Sequence, residues 1–283
     1  MVVARDLPGF EERFAEVKGV RMRYLVAGSG PALVLVHGLG GAASNWIAVA
    51  PGLARSRRVL VPELPGHGGS APLAAAPNLN PYADRVAGIL EREGVAGAAA
   101  VGHSLGGSIA LRLAIRHSGL VGAVVLAGAV GISSRRPAAV YGLRLSALVQ
   151  PGRRIAPYRQ RIAVSPLLRT LVFGGWGASD PVAMHARVAD AFLAGPARHS
   201  DTLSAVRALL HEDPRSELDR VTCPCLVLWG ARDTQLSVAD AFEYTRRLGA
   251  RLRLIADCGH LLIGERPDAC VDAIESFLRD VGQ

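Results

Sequence analysis

Aromatic residues and lysine are scarce in this chain. Phenylalanine, tryptophan and tyrosine make up 5% of its 283 residues, so the aliphatic side chains that dominate its hydrophobic half must build the core. Lys18 is the only lysine, and arginine therefore carries almost all of the positive charge. Such a skew is typical of codon bias or heat tolerance, and by itself it does not indicate a function.

The sequence shows no leader-like pattern at its start and no long apolar run. Its first 15 residues include Asp6, Glu11 and Glu12 and contain no apolar stretch behind a basic start, so we expect no signal peptide. The longest nearly apolar run, residues 119–132, is too short and too rich in glycine to span a bilayer. We therefore expect no transmembrane segment and a cytoplasmic protein.

Cysteine is too sparse for a disulfide scaffold. Cys223, Cys225, Cys258 and Cys270 all lie in the last quarter of the chain, without the spacing of a zinc site. The pair at 223 and 225 brackets a proline and could suggest a redox motif. Reduced thiols near the start of a strand are the simpler interpretation.

Short β-branched runs alternate with helical patterns in residues 1–132 and 216–283. This alternation is typical of an α/β fold, a mostly parallel central sheet flanked by helices. Residues 20–26 are expected to form an antiparallel strand. The other predicted strands are 32–36, 58–61, 98–101, 121–126, 226–229 and 251–255. The predicted helices are 81–93 with Asn80 as N-cap, 105–117, 238–248 and 267–281.

Residues 133–215 interrupt the alternation with helical patterns at 138–148, 182–193 and 202–210 and no convincing strand. We expect a helical cap, or lid, inserted into the α/β core and lying over the carboxyl ends of the strands, where such sheets bind ligands. Most of its apolar residues should pack the lid onto the core, and some could line an acyl pocket: Leu143, Leu145, Leu148, Leu167, Leu168, Leu171, Phe173 and Trp176.

The positive charge is concentrated in this lid. Residues 133–215 contain 12 arginines and five acidic residues, which supply most of the net charge of +8. One interpretation is an acidic substrate or carrier, steered to the site by the basic field. The other is an exposed helical surface in an arginine-rich protein. Nucleic-acid binding is disfavoured, because no recognised motif and no interleaved aromatics accompany the basic residues.

A Gly-x-Ser-x-Gly motif at residues 102–106 predicts the catalytic nucleophile, Ser104. The motif follows a predicted strand directly and opens a predicted helix, the context that a nucleophile elbow requires. Glycines two residues before and after the serine relieve crowding at the strained turn. The alternative is a simple glycine-rich turn between a strand and a helix.

Two further residues complete a predicted catalytic triad. A serine hydroxyl needs a base, and His260 lies on the loop after the last predicted strand. Asp233 follows the preceding strand and would fix the imidazole tautomer; Asp257 and Asp240 are rival candidates. The backbone N–H groups of Leu39 and Leu105 are the predicted oxyanion donors.

These motifs resemble those of the α/β-hydrolase superfamily over residues 18–132 and 216–283. The resemblance is carried by residues 37–41, 64–70, 102–107, 230–233 and 258–260. One departure is Glu63, where relatives usually carry aspartate. Haloalkane dehalogenases and epoxide hydrolases of this superfamily use aspartate at the elbow, so Ser104 argues against both reactions.

The resemblance implies a serine hydrolase of carboxylic esters that forms an acyl-enzyme on Ser104, with no metal and no organic cofactor. The elbow is most similar to esterases and monoglyceride lipases. Carbon–carbon hydrolases of ring-cleavage products remain open because of Asn45-Trp46, as do thioesterases or acyl-carrier ester hydrolases. A non-catalytic ligand-binding protein of the same fold is the alternative from another class. The substrate partner is expected to be a small ester.

Overall fold

The computed structural model describes residues 6–132, residue 149 and residues 151–283. One sheet of eight strands forms its centre, in the order β1-β2-β4-β3-β5-β6-β7-β8. The strands are β1 Glu11–Val17, β2 Val20–Ala27, β3 Ala32–Val36, β4 Arg58–Pro62, β5 Ala98–His103, β6 Val121–Ala127, β7 Cys225–Gly230 and β8 Arg251–Ile255. From β4 to β8 in this order, neighbouring strands pair in parallel, whereas β2 pairs antiparallel with both β1 and β4.

The predicted α/β fold is confirmed, but β1 was not predicted. Four of the seven residues of β1 are charged, and most of its side chains lie at the surface, so the strand carries little apolar signal. Pairing with β2 along its whole length holds it at the edge of the sheet. An edge strand needs only one buried face, here Ala15 and Val17.

Helices cover both faces of the sheet. They are α1 Ala50–Leu53, α2 Asn80–Arg92, α3 Leu105–Arg116, α4 Pro151–Ile155, α5 Arg159–Val164, α6 Pro166–Gly175, α7 Ala186–Ala194, α8 Leu203–Leu210, α9 Val238–Leu248, α10 Leu262–Glu265 and α11 Pro267–Asp280. None of these helices is both long enough and apolar enough to cross a bilayer.

Helix α2 begins one residue earlier than expected, and Asn80 is not its N-cap. Asn80 is the first helical residue, and Leu79 occupies the cap position without a side-chain hydrogen bond. The side chain of Asn78 instead accepts the backbone N–H of Asn80 at 3.0 Å. The asparagine that satisfies a helix-terminal N–H is therefore two residues upstream of the one predicted.

The described residues between β6 and β7 are helical and contain no strand. The predicted helix 138–148 lies outside the described residues. Two predicted helices appear with shorter bounds as α7 and α8, whereas α4, α5 and α6 were not predicted. Pro151, Pro157 and Pro166 divide this stretch into short helices, each too brief to show a clear period. We call residues 151–215 the insertion.

Two hydrophobic clusters lie on opposite sides of the sheet, because successive strand residues point to opposite faces. In β3, Val34 and Val36 join the cluster beneath α2, α3 and α9. Leu33 and Leu35 join the other cluster, which includes α11 and the buried faces of α5, α6 and α7. The insertion therefore contributes to both clusters, because Ala205, Ala208 and Leu209 of α8 belong to the first.

Candidate active site

Ser104 lies on a sharp turn between β5 and α3. Its backbone angles are φ 54° and ψ −118°, a conformation that side chains rarely adopt. The turn is held by neighbouring backbone, since Ser104 N–H donates to the carbonyl of Ala127 at 2.9 Å and Val130 N–H donates to the carbonyl of Ser104 at 3.3 Å. The strained residue is therefore fixed from β6 and the loop that follows it.

The glycines around Ser104 are required by close backbone approach. A Cβ on Gly102 would overlap the carbonyl of Gly106, and a Cβ on Gly106 would overlap the carbonyl of Val36 at the end of β3. Gly107 similarly lies against Ala129. The sequence reasoning that linked glycine to relief of crowding agrees with these contacts.

The structure brings Ser104, His260 and Asp233 together. Nε2 of His260 lies 3.1 Å from Oγ of Ser104, and Nδ1 of His260 lies 2.8 Å from Oδ2 of Asp233. The Asp233 side chain is fully buried, and its other oxygen accepts the N–H groups of Gln235 and Leu236, each at 2.9 Å. The carboxylate can therefore accept the proton on Nδ1 of His260, so that Nε2 presents its lone pair to the serine hydroxyl.

Neither rival carboxylate takes the place of Asp233. Asp257 lies in a left-handed turn, φ 49°, and forms an exposed ion pair with Arg232. Asp240 is buried in the first turn of α9, where its N–H donates to the carbonyl of Ser237. The carboxylate that contacts the His260 ring is the one expected from chain order.

The backbone of His260 is held on two sides. Its N–H donates to the carbonyl of Gly177 in the insertion at 2.7 Å. Its carbonyl accepts Nε2–H of His103 at 2.9 Å. His103 is fully buried, and burial lowers the pKa of its imidazole to about 3, so the ring is neutral and donates one proton. His103 thus points towards the loop of His260.

Glu265 ties the His260 loop to the insertion. Its buried carboxylate accepts the N–H of Gly259 at 3.2 Å, next to His260 in the chain. One of its oxygens also accepts the N–H groups of Ser179 at 2.8 Å and Asp180 at 3.0 Å. A buried carboxylate that receives several N–H donors is well solvated by the protein, so these bonds fix both segments to one charge.

The loop after β3 lies directly against Ser104. A Cβ on Gly38 would sit 3.2 Å from Cβ of Ser104. The next residue, Leu39, and Leu105 at the start of α3 are the predicted oxyanion donors. Among the hydrogen bonds of the described residues, none uses the N–H of Leu39 or of Leu105. Both groups are thus available to an acceptor, and the positive end of α3 would add to the stabilisation of an anion.

Buried histidines hold this loop in shape. His37 donates from Nδ1 to the carbonyl of Gly38 at 2.8 Å and accepts the N–H of Leu64 at Nε2, 3.0 Å away. His199, in the insertion, donates to the carbonyl of Gly40 at 2.8 Å and accepts the N–H of Gly68. Burial lowers the pKa of His37 to about 4 and also lowers the pKa of His199, so both rings are neutral at pH 7.

Glu63, the departure from the usual aspartate, is a structural residue. It is fully buried, pairs with Arg23 at 2.9 Å and accepts the N–H of Gly69 at 2.6 Å. A weaker contact, 3.3 Å, joins it to the N–H of Ala43. Its contacts thus hold the loop that carries Gly68 in place, and Glu63 is not a member of the predicted triad.

Sequence reasoning missed His103, His199, Gly177 and Glu265 as parts of this site. Their long-range contacts join residues 83 to 159 positions apart, and a single sequence gives no direct sign of such pairing. Glu265 had the clearest available signal. It ends the apolar run of residues 261–264 five positions after His260, and a charged residue in such a place needs a buried partner.

A mostly parallel sheet, with a strained serine after β5 and a histidine after β8, defines the α/β-hydrolase fold class. The protein belongs to the Alpha/beta hydrolase family, whose sequence model matches residues 33–273. The fold and the family expected from the motifs are therefore confirmed.

The chain is similar to several named hydrolases. A pimeloyl-(acyl-carrier protein) methyl ester esterase from Aromatoleum aromaticum is 32% identical, covering 88% of this chain and 98% of that protein. A 2-hydroxymuconate semialdehyde hydrolase from a Pseudomonas species is 33% identical, covering 93% and 92%. A solved membrane phospholipase A, a bacterial virulence factor, superposes with a TM-score of 0.77 at 25% identity, covering 97% of this chain and 87% of that one.

Proposed function

We propose that the protein is a serine hydrolase that cleaves carboxylic esters through an acyl-enzyme on Ser104. The observation that carries the proposal is the unbroken hydrogen-bonded series from Ser104 through His260 to Asp233. In the first step His260 takes the hydroxyl proton of Ser104, whose oxygen attacks the acyl carbon. His260 then gives that proton to the departing alcohol.

The oxyanion of each tetrahedral intermediate would be held by the N–H groups of Leu39 and Leu105. In the second half of the reaction His260 removes a proton from water, which attacks the acyl-enzyme. The tetrahedral intermediate collapses, Ser104 recovers its proton from His260, and the carboxylic acid leaves. All proton transfers thus pass through one imidazole, whose orientation is set by Asp233.

Residues 133–215 are proposed to form the cap of this active site. Two contacts support the proposal: Gly177 accepts the N–H of His260, and His199 donates to the loop that carries Leu39. Both join the insertion to the proposed catalytic machinery at the carboxyl ends of the strands, where substrates of such sheets bind.

Replacement of Ser104 by alanine tests the nucleophile. We expect turnover of p-nitrophenyl esters to fall at least about a thousandfold, because the remaining groups cannot form the acyl-enzyme. Asp233→Asn should cause a large loss as well, whereas Asp257→Asn is the matched control and should retain nearly full turnover. Retention of more than about a tenth of the wild-type rate by Ser104→Ala would reject the nucleophile. No turnover of any ester by the wild-type protein would favour a ligand-binding protein.

The similar proteins suggest two classes of substrate, carboxylic esters and ring-cleavage products. The similarity to a methyl ester esterase supports simple carboxylic esters, and the surplus of arginine in residues 133–215 would suit an acidic acyl group or carrier. We therefore expect an ester with a free carboxylate to be turned over faster than its neutral analogue, with the advantage decreasing as salt is added. Equal salt dependence of the two esters would remove the acidic-substrate part of the proposal.

Carbon–carbon bond hydrolysis is the second candidate. It is favoured by the 33% identity to a 2-hydroxymuconate semialdehyde hydrolase, together with Asn45 and Trp46 beside the oxyanion loop. Assay of a p-nitrophenyl ester series beside a ring-cleavage dienone would separate the two reactions. A kcat/KM for the dienone that exceeds the best ester would replace the first proposal by the second.

A further inference from the structure

Helix α6 carries large apolar side chains on both of its sides. On the inner side Phe173 is fully buried, and the nearly buried Arg169 donates a hydrogen bond to the carbonyl of Met184. On the outer side Leu167 and Leu171, one helical turn apart, are 69% and 66% exposed. A helix that only had to cover the core would carry polar residues on this outer side.

Residues close by in the chain add further exposed apolar side chains. Val164, at the end of α5, is 72% exposed, and Leu168 is also exposed. We call Val164, Leu167, Leu168 and Leu171 the apolar ridge. Within the described part of the chain, ten large apolar side chains are exposed. Seven of the ten lie between residues 149 and 182. Single exposed apolar residues are normal, but a cluster of this kind marks an interaction surface.

The stretch of chain that carries the ridge has positive charge only. From Gly94 to Ser179 the chain contains no aspartate and no glutamate. Arg153 and Arg154 in α4 and Arg161 in α5 are exposed. In the described residues, Arg159 has a carboxylate partner, Asp190 at 3.0 Å, but these three arginines have none within ion-pairing distance. A surface that binds the ridge must therefore accommodate these positive charges.

We propose that the apolar ridge docks on an anionic phospholipid surface. The four ridge side chains would enter the boundary between head groups and acyl chains, as the apolar side of an interfacial helix does. The arginines of α4 and α5 would bind phosphate oxygens, for which a guanidinium offers two parallel donors. The two requirements, apolar insertion and negative charge, are met together by such a surface.

A second copy of the chain fits this surface less well. A symmetric dimer through the ridge would place the same patch of each copy face to face and bring their arginines together. No acidic residue lies between 94 and 179 to offset that repulsion. Charge complementarity therefore favours phospholipid as the occupant.

Vesicle flotation of the full-length protein tests the proposal, with Ser104→Ala as the background so that no lipid is hydrolysed. We expect binding to vesicles of phosphatidylcholine mixed with phosphatidylglycerol, weakened by salt, and little binding to phosphatidylcholine alone. The double variant Leu167→Ser/Leu171→Ser should bind at least about tenfold more weakly. Arg161→Gln should lower binding roughly fivefold.

The matched control is Phe242→Ser, which removes an exposed apolar side chain from α9, a helix on the opposite side of the sheet from α5 and α6. It should bind vesicles like the parent. Because Leu167 and Leu171 are exposed, their double variant should keep the parent's unfolding midpoint and, with Ser104 restored, its turnover of a water-soluble ester. Three results would each overturn the proposal. The first is unchanged vesicle binding by the ridge variant, and the second is equal binding of the parent to neutral and to anionic vesicles. The third is a parent that binds no vesicles but self-associates, with the self-association lost in the ridge variant.

Discussion

At the scale of single residues, Glu265 affects the candidate site indirectly, by holding the segments that contact His260. Its carboxylate accepts N–H groups from Gly259, Ser179 and Asp180, and so holds the loop of His260 against the insertion. We expect Glu265→Gln to lower the free energy of unfolding by about 1–3 kcal/mol, since the amide removes the charge and turns one acceptor into a donor. Urea unfolding would measure this loss.

The same variant should lower kcat by between about tenfold and a hundredfold with little change in KM, because a displaced His260 slows proton transfer more than it weakens binding. The assay is run where the variant is fully folded. Asp268→Asn is the control, since it makes the same chemical change three residues away on an exposed side chain. A Glu265→Gln protein with wild-type kcat would show that the carboxylate contributes only to stability.

At the scale of elements, the elbow between β5 and α3 depends on the absence of side chains. We expect Gly106→Ala to destabilise the protein severely or prevent its folding, because the new Cβ would overlap the backbone of Val36 and β3 cannot move away. Gly119→Ala is the matched control, since a Cβ there meets nothing within 4 Å. Soluble yield and thermal midpoint of the two variants compare them, and similar midpoints would contradict the crowding argument.

The elements also show what a single sequence can predict. β3 and β8 were predicted with the observed bounds, since a run such as Ala32–Val36 is apolar throughout and leaves little choice of structure. β1 was missed, because pairing with β2, rather than its own apolar content, makes it a strand. Leu167, Leu168 and Leu171 belong to a set of apolar residues of which most were expected to pack onto the core, but all three are exposed. Their periodicity is helical, but it does not tell which of two apolar sides is buried.

For the candidate site, chain order was sufficient to predict which side chains lie in contact. Parallel strands end at the same edge of the sheet, so residues that follow β5, β7 and β8 must be neighbours there. Ser104, Asp233 and His260 could therefore be selected from sequence. The residues that hold them in place act through contacts distant in the chain, His103 with the carbonyl of His260 and Glu265 with residues 179 and 180 of the insertion, and no local pattern records such contacts.

At the scale of the whole molecule, buried neutral histidines should make stability depend on pH. Burial lowers the pKa of His37 to about 4 and that of His103 to about 3, against 6.5 for an ordinary imidazole. Below pH 6.5 the unfolded chain therefore binds protons that the folded protein does not, and the free energy of unfolding falls as the pH is lowered towards 4. Ordinary carboxylates titrate mainly below pH 5, so the decrease between 6.5 and 5 reports the histidines.

Urea unfolding at several values between pH 7 and 5 measures this dependence. Near pH 5.5 we expect unfolding to take up at least about one proton per molecule. His103→Asn removes one of the buried rings and should give a shallower slope, whatever its effect on stability at pH 7. A flat profile for the wild-type protein would contradict neutral burial of these rings.

The position of Glu265 outside the insertion has a consequence for domain exchange. The core side of the attachment at residues 177–180 is supplied by the N–H of His260 and the carboxylate of Glu265. A chimaera that received a foreign segment in place of residues 133–215 would keep these two groups but lose their partners at Gly177, Ser179 and Asp180. Transplantation between relatives should therefore succeed only when the segment that follows β8 travels with the graft.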